Sequence, residues 1–139
     1  MSATCAPQPQ VSDFGLSKVL YEQHSGRQSA SSTGGARNAR WVAPEVLQGG
    51  AYTREADIYS FGVVMWELLT MELPFAGSAS SWEIAHIVVA GGRPAVPPLE
   101  ACRGLPAAAY QRHVQLMEEC WHQDARKRPP FTVITGRAK

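Results

Sequence analysis

No stretch of this 139-residue sequence is long and apolar enough to suggest a membrane span. The most apolar run, residues 58–69, carries Glu67 and is flanked by Asp57 and Glu72. It falls short of the roughly 20 residues a bilayer requires and reads as a buried helix. Residues 1–10 hold no basic start and no apolar core, which excludes a signal peptide there. Charge of one sign is not in excess: the net charge is +1, giving no electrostatic case for nucleic acid or a membrane surface. The one basic cluster, Arg126-Lys127-Arg128, is short and reads as a solvated corner between helix and loop. Cysteine is scarce. Cys5, Cys102 and Cys120 are odd in number and form no C-x-x-C pair, which argues against a disulfide framework or a structural zinc site and for a reducing, intracellular compartment. No internal repeat and no strand-rich half appear.

What is present suits one globular domain: 45% apolar and 18% charged residues supply a core and a solvated surface. Residues 1–10 read as a disordered lead-in, residues 11–14 as a short strand end at most, and residues 23–39 as a mobile loop. From there the signals are helical. Pro44 suits the first turn of a short helix over 45–48, which Gly49 and Gly50 stop. Thr53 is placed to cap a helix running through Thr70, with Glu55 and Asp57 in its first turns. Ile58, Phe61, Met65, Leu68 and Leu69 recur at helical spacing, and Val63, Val64 and Trp66 fill the other faces, as in a central core helix. Ser80 and Glu83 form a capping box before Ile84, Ile87 and Val88, and Gly91-Gly92 ends that helix. Residues 93–106 read as extended. A further helix covers 107–122 with Tyr110, Val114, Met117 and Trp121 on one face. Trp66, Trp82 and Trp121 read as core or half-core packing. Arg128-Pro129-Pro130 breaks the chain, and Phe131 begins an element that Lys139 cuts short.

The motifs that carry chemistry come in a fixed order. Asp13-Phe14-Gly15 offers a carboxylate on a turn that an apolar residue anchors, a device suited to holding magnesium against phosphates. Ala43-Pro44-Glu45 follows, preceded by Arg40-Trp41-Val42. Asp57-Ile58-Tyr59-Ser60-Phe61-Gly62-Val63, Trp66-Glu67-Leu68 and Leu73-Pro74-Phe75 come next, then Cys120-Trp121 and Arg128-Pro129-Pro130-Phe131. In this order and at these gaps, residues 11–135 resemble protein kinases, in particular the tyrosine-kinase-like group of Ser/Thr kinases and their tyrosine kinase relatives.

The resemblance implies a mainly α fold: the helical C-terminal lobe of a kinase, truncated, with little or no sheet. Residues 11–139 would be a partial kinase domain, with an activation segment over 13–45 and the helical lobe over 46–139. Asp13 would be the magnesium ligand and Phe14 would pack beneath a helix of the other lobe. Ser29, Ser31, Ser32 and Thr33 would be candidate phosphorylation sites, whose phosphate could pair with Arg27, Arg37 or Arg40; a plain solvated linker is the other reading. Arg40, Trp41 and Val42 would form part of the platform for the protein substrate. Glu45 would make a buried, structural ion pair with Arg128. Asp57 would accept hydrogen bonds from the backbone of the catalytic loop, or serve only as a helix-dipole aspartate.

Several parts of the family pattern do not occur in the sequence. It has no glycine-rich loop, no strand lysine, no partner glutamate helix and no H-R-D-x-x-x-x-N loop. The family uses ATP and magnesium, but this chain alone is expected to bind them poorly and not to transfer phosphate. Asn38 stands where Ser/Thr kinases usually carry a threonine, which leaves Ser/Thr against Tyr specificity open, tilted to Ser/Thr by the group resemblance. The alternative function is a non-catalytic, pseudokinase-like interaction module. The missing parts also predict an uncovered apolar patch around Ile58, Phe61, Met65 and Leu69.

Overall fold

Glycine pairs end two of the helices in the computed structural model, which describes residue 12 and residues 39–78, 80–102 and 104–137. The lead-in, the expected strand end at residues 11–14 and the serine-rich loop up to residue 38 lie outside these residues, Ser12 apart. Helix α1, Pro44–Leu47, starts on the proline whose missing N–H needs no partner there. It ends where Gly49, at φ 83°, donates to the Val46 carbonyl at 3.0 Å and Gly50 donates to that of Glu45 at 2.8 Å. Helix α3, Ser81–Val89, stops the same way: Gly91, at φ 96°, donates to Val88 at 3.0 Å and Gly92 to Ile87 at 2.8 Å. This paired termination requires a left-handed residue, which glycine adopts without a Cβ clash.

At its start α3 is capped as its sequence predicts. The Ser80 hydroxyl accepts from the Glu83 backbone N–H at 3.2 Å. Ser80→Ala is expected to cost about 1 kcal/mol, read as a lower urea midpoint at unchanged slope.

Helix α2, Arg54–Thr70, is the longest element, and the others are arranged around it. Thr53 occupies the N-cap position, but its side chain makes no capping bond. The hydroxyl serves the Glu55 carboxylate instead, the leading cause of that group's lowered pKa. Helix α4, Ala107–Cys120, crosses α2 most intimately, and α5, Phe131–Arg137, closes the order. Short 3-10 turns stand at Leu99–Ala101 and Ala125–Lys127. Among the described residues there is no strand, so the fold is mainly α, a helical lobe. No helix among them is long and apolar enough to cross a membrane.

The core gathers Tyr59, Val63 and Trp66 of α2 with Ile84 and Val88 of α3, Met117 and Cys120 of α4, Trp121, and Ile134 of α5. Gly62 makes the α2–α4 contact possible. A Cβ on it would lie 3.0 Å from both Cys120 Cβ and the Trp121 nitrogen, and 3.2 Å from the Met117 carbonyl oxygen.

Two expectations from the sequence are corrected. The uncovered apolar face of α2 is not at Ile58, Phe61, Met65 and Leu69. Ile58 and Met65 are buried, and Phe61 and Leu69 are half-buried. Phe61 meets Phe131 of α5 edge-on at 5.7 Å, and His113 of α4 donates to the Met65 carbonyl at 2.9 Å. The exposed stripe is rotated around the helix to Val64 and Leu68, continuing through Met71 and Leu73. The second correction concerns Trp82, which is 74% exposed and lies edge-on against His86 at 4.6 Å. Helix α3 buries Ile84 and Val88, one turn apart. Trp82, two residues before Ile84, falls about 200° around the helix from it, on the water side.

Candidate functional site

Residues 39–45 form a strap over one end of the helical lobe, and each polar side chain in it has a fixed partner. Ala39 and Ala43 are buried, which holds the backbone of the strap against the core. Between them Arg40 turns its guanidinium to the carbonyls of Pro74 and Phe75, the latter at 2.9 Å. Trp41 donates its indole N–H to Glu67 Oε2 at 2.7 Å, and its carbonyl accepts from the Ser60 hydroxyl at 2.7 Å. Val42 is half-buried. The strap is therefore tied to α2 at Ser60 and Glu67, two helical turns apart, and to the turn that follows α2. Phe75 in that turn is left-handed, at φ 55°, which aims two successive carbonyls at one guanidinium.

At the downstream end of the strap, Glu45 and Arg128 meet as a two-pronged pair. Arg128 Nη1 donates to Oε1 at 2.7 Å and Nη2 to Oε2 at 2.9 Å. The same guanidinium donates to the Glu55 carbonyl at 2.8 Å and the His122 carbonyl at 2.9 Å. Its side chain has no exposed surface, whereas that of Glu45 keeps 29%. The basic cluster thus splits. Arg126 lies in water against Asp124 at 2.9 Å, holding that carboxyl down to about 2, while Arg128 points inward.

Burial alone would raise the Glu45 pKa, but the Arg128 hydrogen bonds and charge outweigh it and the net shift is downward. A folded-state pKa below the unfolded value adds stability that is complete above the unfolded value of about 4.5 and is lost as pH falls. The urea midpoint is therefore expected to drop as pH is taken from about 5 towards 3, and Glu45→Gln is expected to flatten that drop.

Tyr59, fully buried on α2, lies against both guanidinium groups of this region. Arg128 Cζ stands 5.3 Å from its ring centroid and Arg93 Cζ stands 4.9 Å away. Arg93 donates to the Trp121 carbonyl at 2.9 Å, the Gly92 carbonyl at 2.7 Å and Gln123 Oε1 at 2.8 Å, bridging the end of α3 to the end of α4. Sequence reasoning missed Arg93. Its only signal is a place between a glycine stop and a proline, where the backbone is fixed. The Tyr59 hydroxyl is buried with no partner among the described residues. Tyr59→Phe removes an unsatisfied group and keeps both stacked cations, so its melting temperature is expected to equal or exceed that of the parent.

Asp57 is exposed, and its Oδ1 accepts from the Tyr52 hydroxyl at 2.6 Å. Burial, with this bond as the second cause, pushes the Tyr52 pKa up to about 12. Tyr52 and Glu67 were also not foreseen, because each partners a residue on another turn or element. Asp13, Phe14, Gly15, Ser29, Ser31, Ser32 and Thr33 lie outside the described residues. Among those described, no three His, Cys, Asp or Glu side chains stand close enough to hold a metal ion.

Residues 5–137 match the family model of protein tyrosine and serine/threonine kinases. The chain is 35% identical over 132 residues to the protein named Probable serine/threonine-protein kinase roco5 of Dictyostelium discoideum, an alignment covering 91% of this chain and 4% of that protein. It is 34% identical over 124 residues to serine/threonine-protein kinase STY17 of Arabidopsis thaliana, covering 89% and 19%. To the human insulin receptor-related protein it is 36% identical over 125 residues, covering 89% and 9%. The chain therefore belongs to the protein kinase family and represents part of the kinase domain, its helical C-terminal lobe. It spans less than a fifth of the length of these relatives. Kinases of this family use ATP with magnesium and act on proteins.

Proposed function

We propose that this chain is the substrate-side part of a kinase domain that transfers the γ-phosphate of ATP to serine or threonine hydroxyls of proteins. The observation that carries the reading is the strap. Arg40, Trp41 and Val42 form a platform for a peptide that is held from beneath at Glu67, Ser60 and the Phe75 turn. A rigid platform suits phosphoryl transfer, where much of the catalytic effect is the positioning of the acceptor. Glu45 and Arg128 keep its downstream end in place, a structural role. In this reading Asp13 supplies the magnesium carboxylate, with Phe14 and Gly15 shaping its turn, and Ser29, Ser31, Ser32 and Thr33 are the segment's phosphorylation sites. Bound ATP supplies the phosphoryl group and magnesium offsets its charge; this chain's own residues position the protein acceptor. Residues 11–139 form the partial domain, with the activation segment over 13–45 and the helical lobe from 46. A reducing, intracellular setting suits the two buried free thiols, Cys102 and Cys120.

The chain alone is expected to transfer no phosphate. The test is a chimera in which residues 13–137 replace the matching stretch of the Arabidopsis relative. Transfer to serine and threonine peptides, lost in Asp13→Asn, is the expected result. A folded chimera without transfer would overturn the reading. It would favour a non-catalytic interaction module, which the engagement of Asp57 by Tyr52 within this chain also suits.

A further inference from the structure

Residues 122–128, just after α4, fold into a turn that closes on itself through a circuit of hydrogen bonds. The half-buried His122 ring accepts the Asp124 backbone N–H on Nδ1 at 2.9 Å. The Asp124 carboxylate accepts the Arg126 backbone N–H at 3.0 Å, and the Asp124 carbonyl accepts that of Lys127 at 3.0 Å. The Ala125 carbonyl accepts the Arg128 N–H at 3.2 Å. Arg128 Nε then returns to the His122 carbonyl at 2.9 Å, leaving both Nη atoms to Glu45 and the Glu55 carbonyl. Each bond sets the direction of the next. The ring that opens the circuit therefore helps to aim the guanidinium that closes it.

One member of this circuit belongs to a side-chain type that changes charge near neutral pH, since imidazole ordinarily titrates between about pH 5 and 8. Arg126 holds the Asp124 carboxyl down to about 2, so it stays an acceptor throughout that range. Arginine stays charged, and the remaining members are backbone groups. A ring nitrogen that accepts a hydrogen bond carries no proton, so the neutral His122 ring holds its proton on Nε2. A second proton turns Nδ1 into a donor facing another donor, and the bond is lost. Protonation therefore works against the folded turn, and the stability that the bond contributes is present at high pH and lost as pH falls.

No neighbouring group can take over. Arg126, Lys127 and Arg128 of the turn, and Arg93 from the end of α3, only donate. The Asp124 carboxylate is held by Arg126, that of Glu45 in α1 by Arg128, and that of Glu119 in α4 by Arg137 and Gln115. Each carboxylate is thus already matched by an arginine, and none is a spare counter-charge for the ring.

We propose that His122 is an acid-sensitive latch on the strap: the neutral ring holds the turn that seats Arg128, and protonation slackens it, so that Arg128 loosens its grip on Glu45 and on the strap's downstream end. The latch acts above the pH at which Glu45 itself is protonated, and it does not depend on what the strap receives.

The test follows the whole chain from about pH 7.5 to 5.5. The melting temperature is expected to fall by about 4 °C, the effect of one lost hydrogen bond in a domain of this size. Deuterium uptake over residues 39–45 at the lower pH should exceed that of His122→Asn at the same pH by about fivefold. Asparagine offers an amide oxygen in place of Nδ1 and does not titrate, so this variant should keep its melting temperature across the range. His113 and His86 do not imitate the effect. His113 donates to the Met65 carbonyl, as a protonated ring still does, and His86 lies against the Trp82 ring, which favours a cation. A parent chain that melts alike at both pH values overturns the proposal, and so does an asparagine variant that loses as much as the parent. Uptake that rises over residues 122–128 and not over the strap also overturns it. Should the asparagine variant fail to fold, nitrogen NMR of the parent decides. A proton on Nδ1 of His122 at the higher pH overturns the latch; a bare Nδ1 that becomes protonated in step with strap uptake supports it.

Discussion

Removing either member of the Glu45–Arg128 pair is expected to cost about 3–5 kcal/mol, the range for stranding one partner of a buried ion pair. The total stability of a domain is about 5–15 kcal/mol, so each variant should sit close to unfolding at room temperature. The two losses differ in kind. Glu45→Ala leaves a guanidinium with no exposed surface and no counter-charge. Arg128→Ala leaves a carboxylate that already reaches water, but it also orphans the Glu55 and His122 carbonyls and opens a cavity. Arg128→Lys keeps the charge and still fails, because one ammonium cannot match two carboxylate oxygens and two carbonyls at once. Replacing both partners by apolar residues should recover part of the loss but not all, since the two carbonyls stay unpaired. Urea midpoints of the four variants test this. Losses below about 1 kcal/mol in both single alanine variants would show that the pair does not hold the strap to the lobe.

Gly62→Ala is expected to destabilise by about 1–3 kcal/mol, although alanine is the better helix former by about 1 kcal/mol. The sign is set by space. The new methyl would meet Cys120 Cβ and the Trp121 nitrogen at 3.0 Å and the Met117 carbonyl oxygen at 3.2 Å. Two of these three atoms are backbone and cannot rotate away, so α4 itself must move outward. That movement reaches Trp121, whose carbonyl holds Arg93, and His122, whose carbonyl holds Arg128. A lower melting temperature together with a changed near-ultraviolet tryptophan signal is the expected outcome. A melting temperature equal to or above the parent's would show that the α2–α4 seam has slack.

The helices were legible in the sequence because their ends are written locally. Pro44, Ser80 and the pairs at 49–50 and 91–92 each act on backbone within a few residues, and the structure places the helix ends beside them. The family is legible from motif order, and with it the helical class of the fold. What was not legible depends on neighbours. Which stripe of α2 faces water is decided by where α4 and α5 lie, so an almost uniformly apolar helix gives no hint of it. Trp82 reads from its type as core or half-core packing, but the register of a nine-residue helix puts it outside. Thr53 is at its expected position, yet a nearby glutamate competes for its hydroxyl. In the candidate site, pairing Glu45 with Arg128 came from the resemblance, since no periodicity links residues 83 apart. Arg93, Tyr52 and Glu67 were missed for the same reason: each acts through partners on another turn or element, and the one local signal, the place of Arg93 between a glycine stop and a proline, does not name those partners.

The distance along the chain between Glu45 and Arg128 also sets an order of events during synthesis. With 83 positions separating them and translation at about 5–20 residues per second, the glutamate leaves the ribosome roughly 4 to 17 s before its arginine. For that interval the nascent strap lacks its counter-charge, and for most of it the helix α4 on which the core closes is incomplete. Slow synthesis downstream of residue 45 would lengthen the time for which Trp41 and the apolar face of α2 are open to chaperones, and synonymous codon changes there could alter yield without altering a single contact in the finished protein.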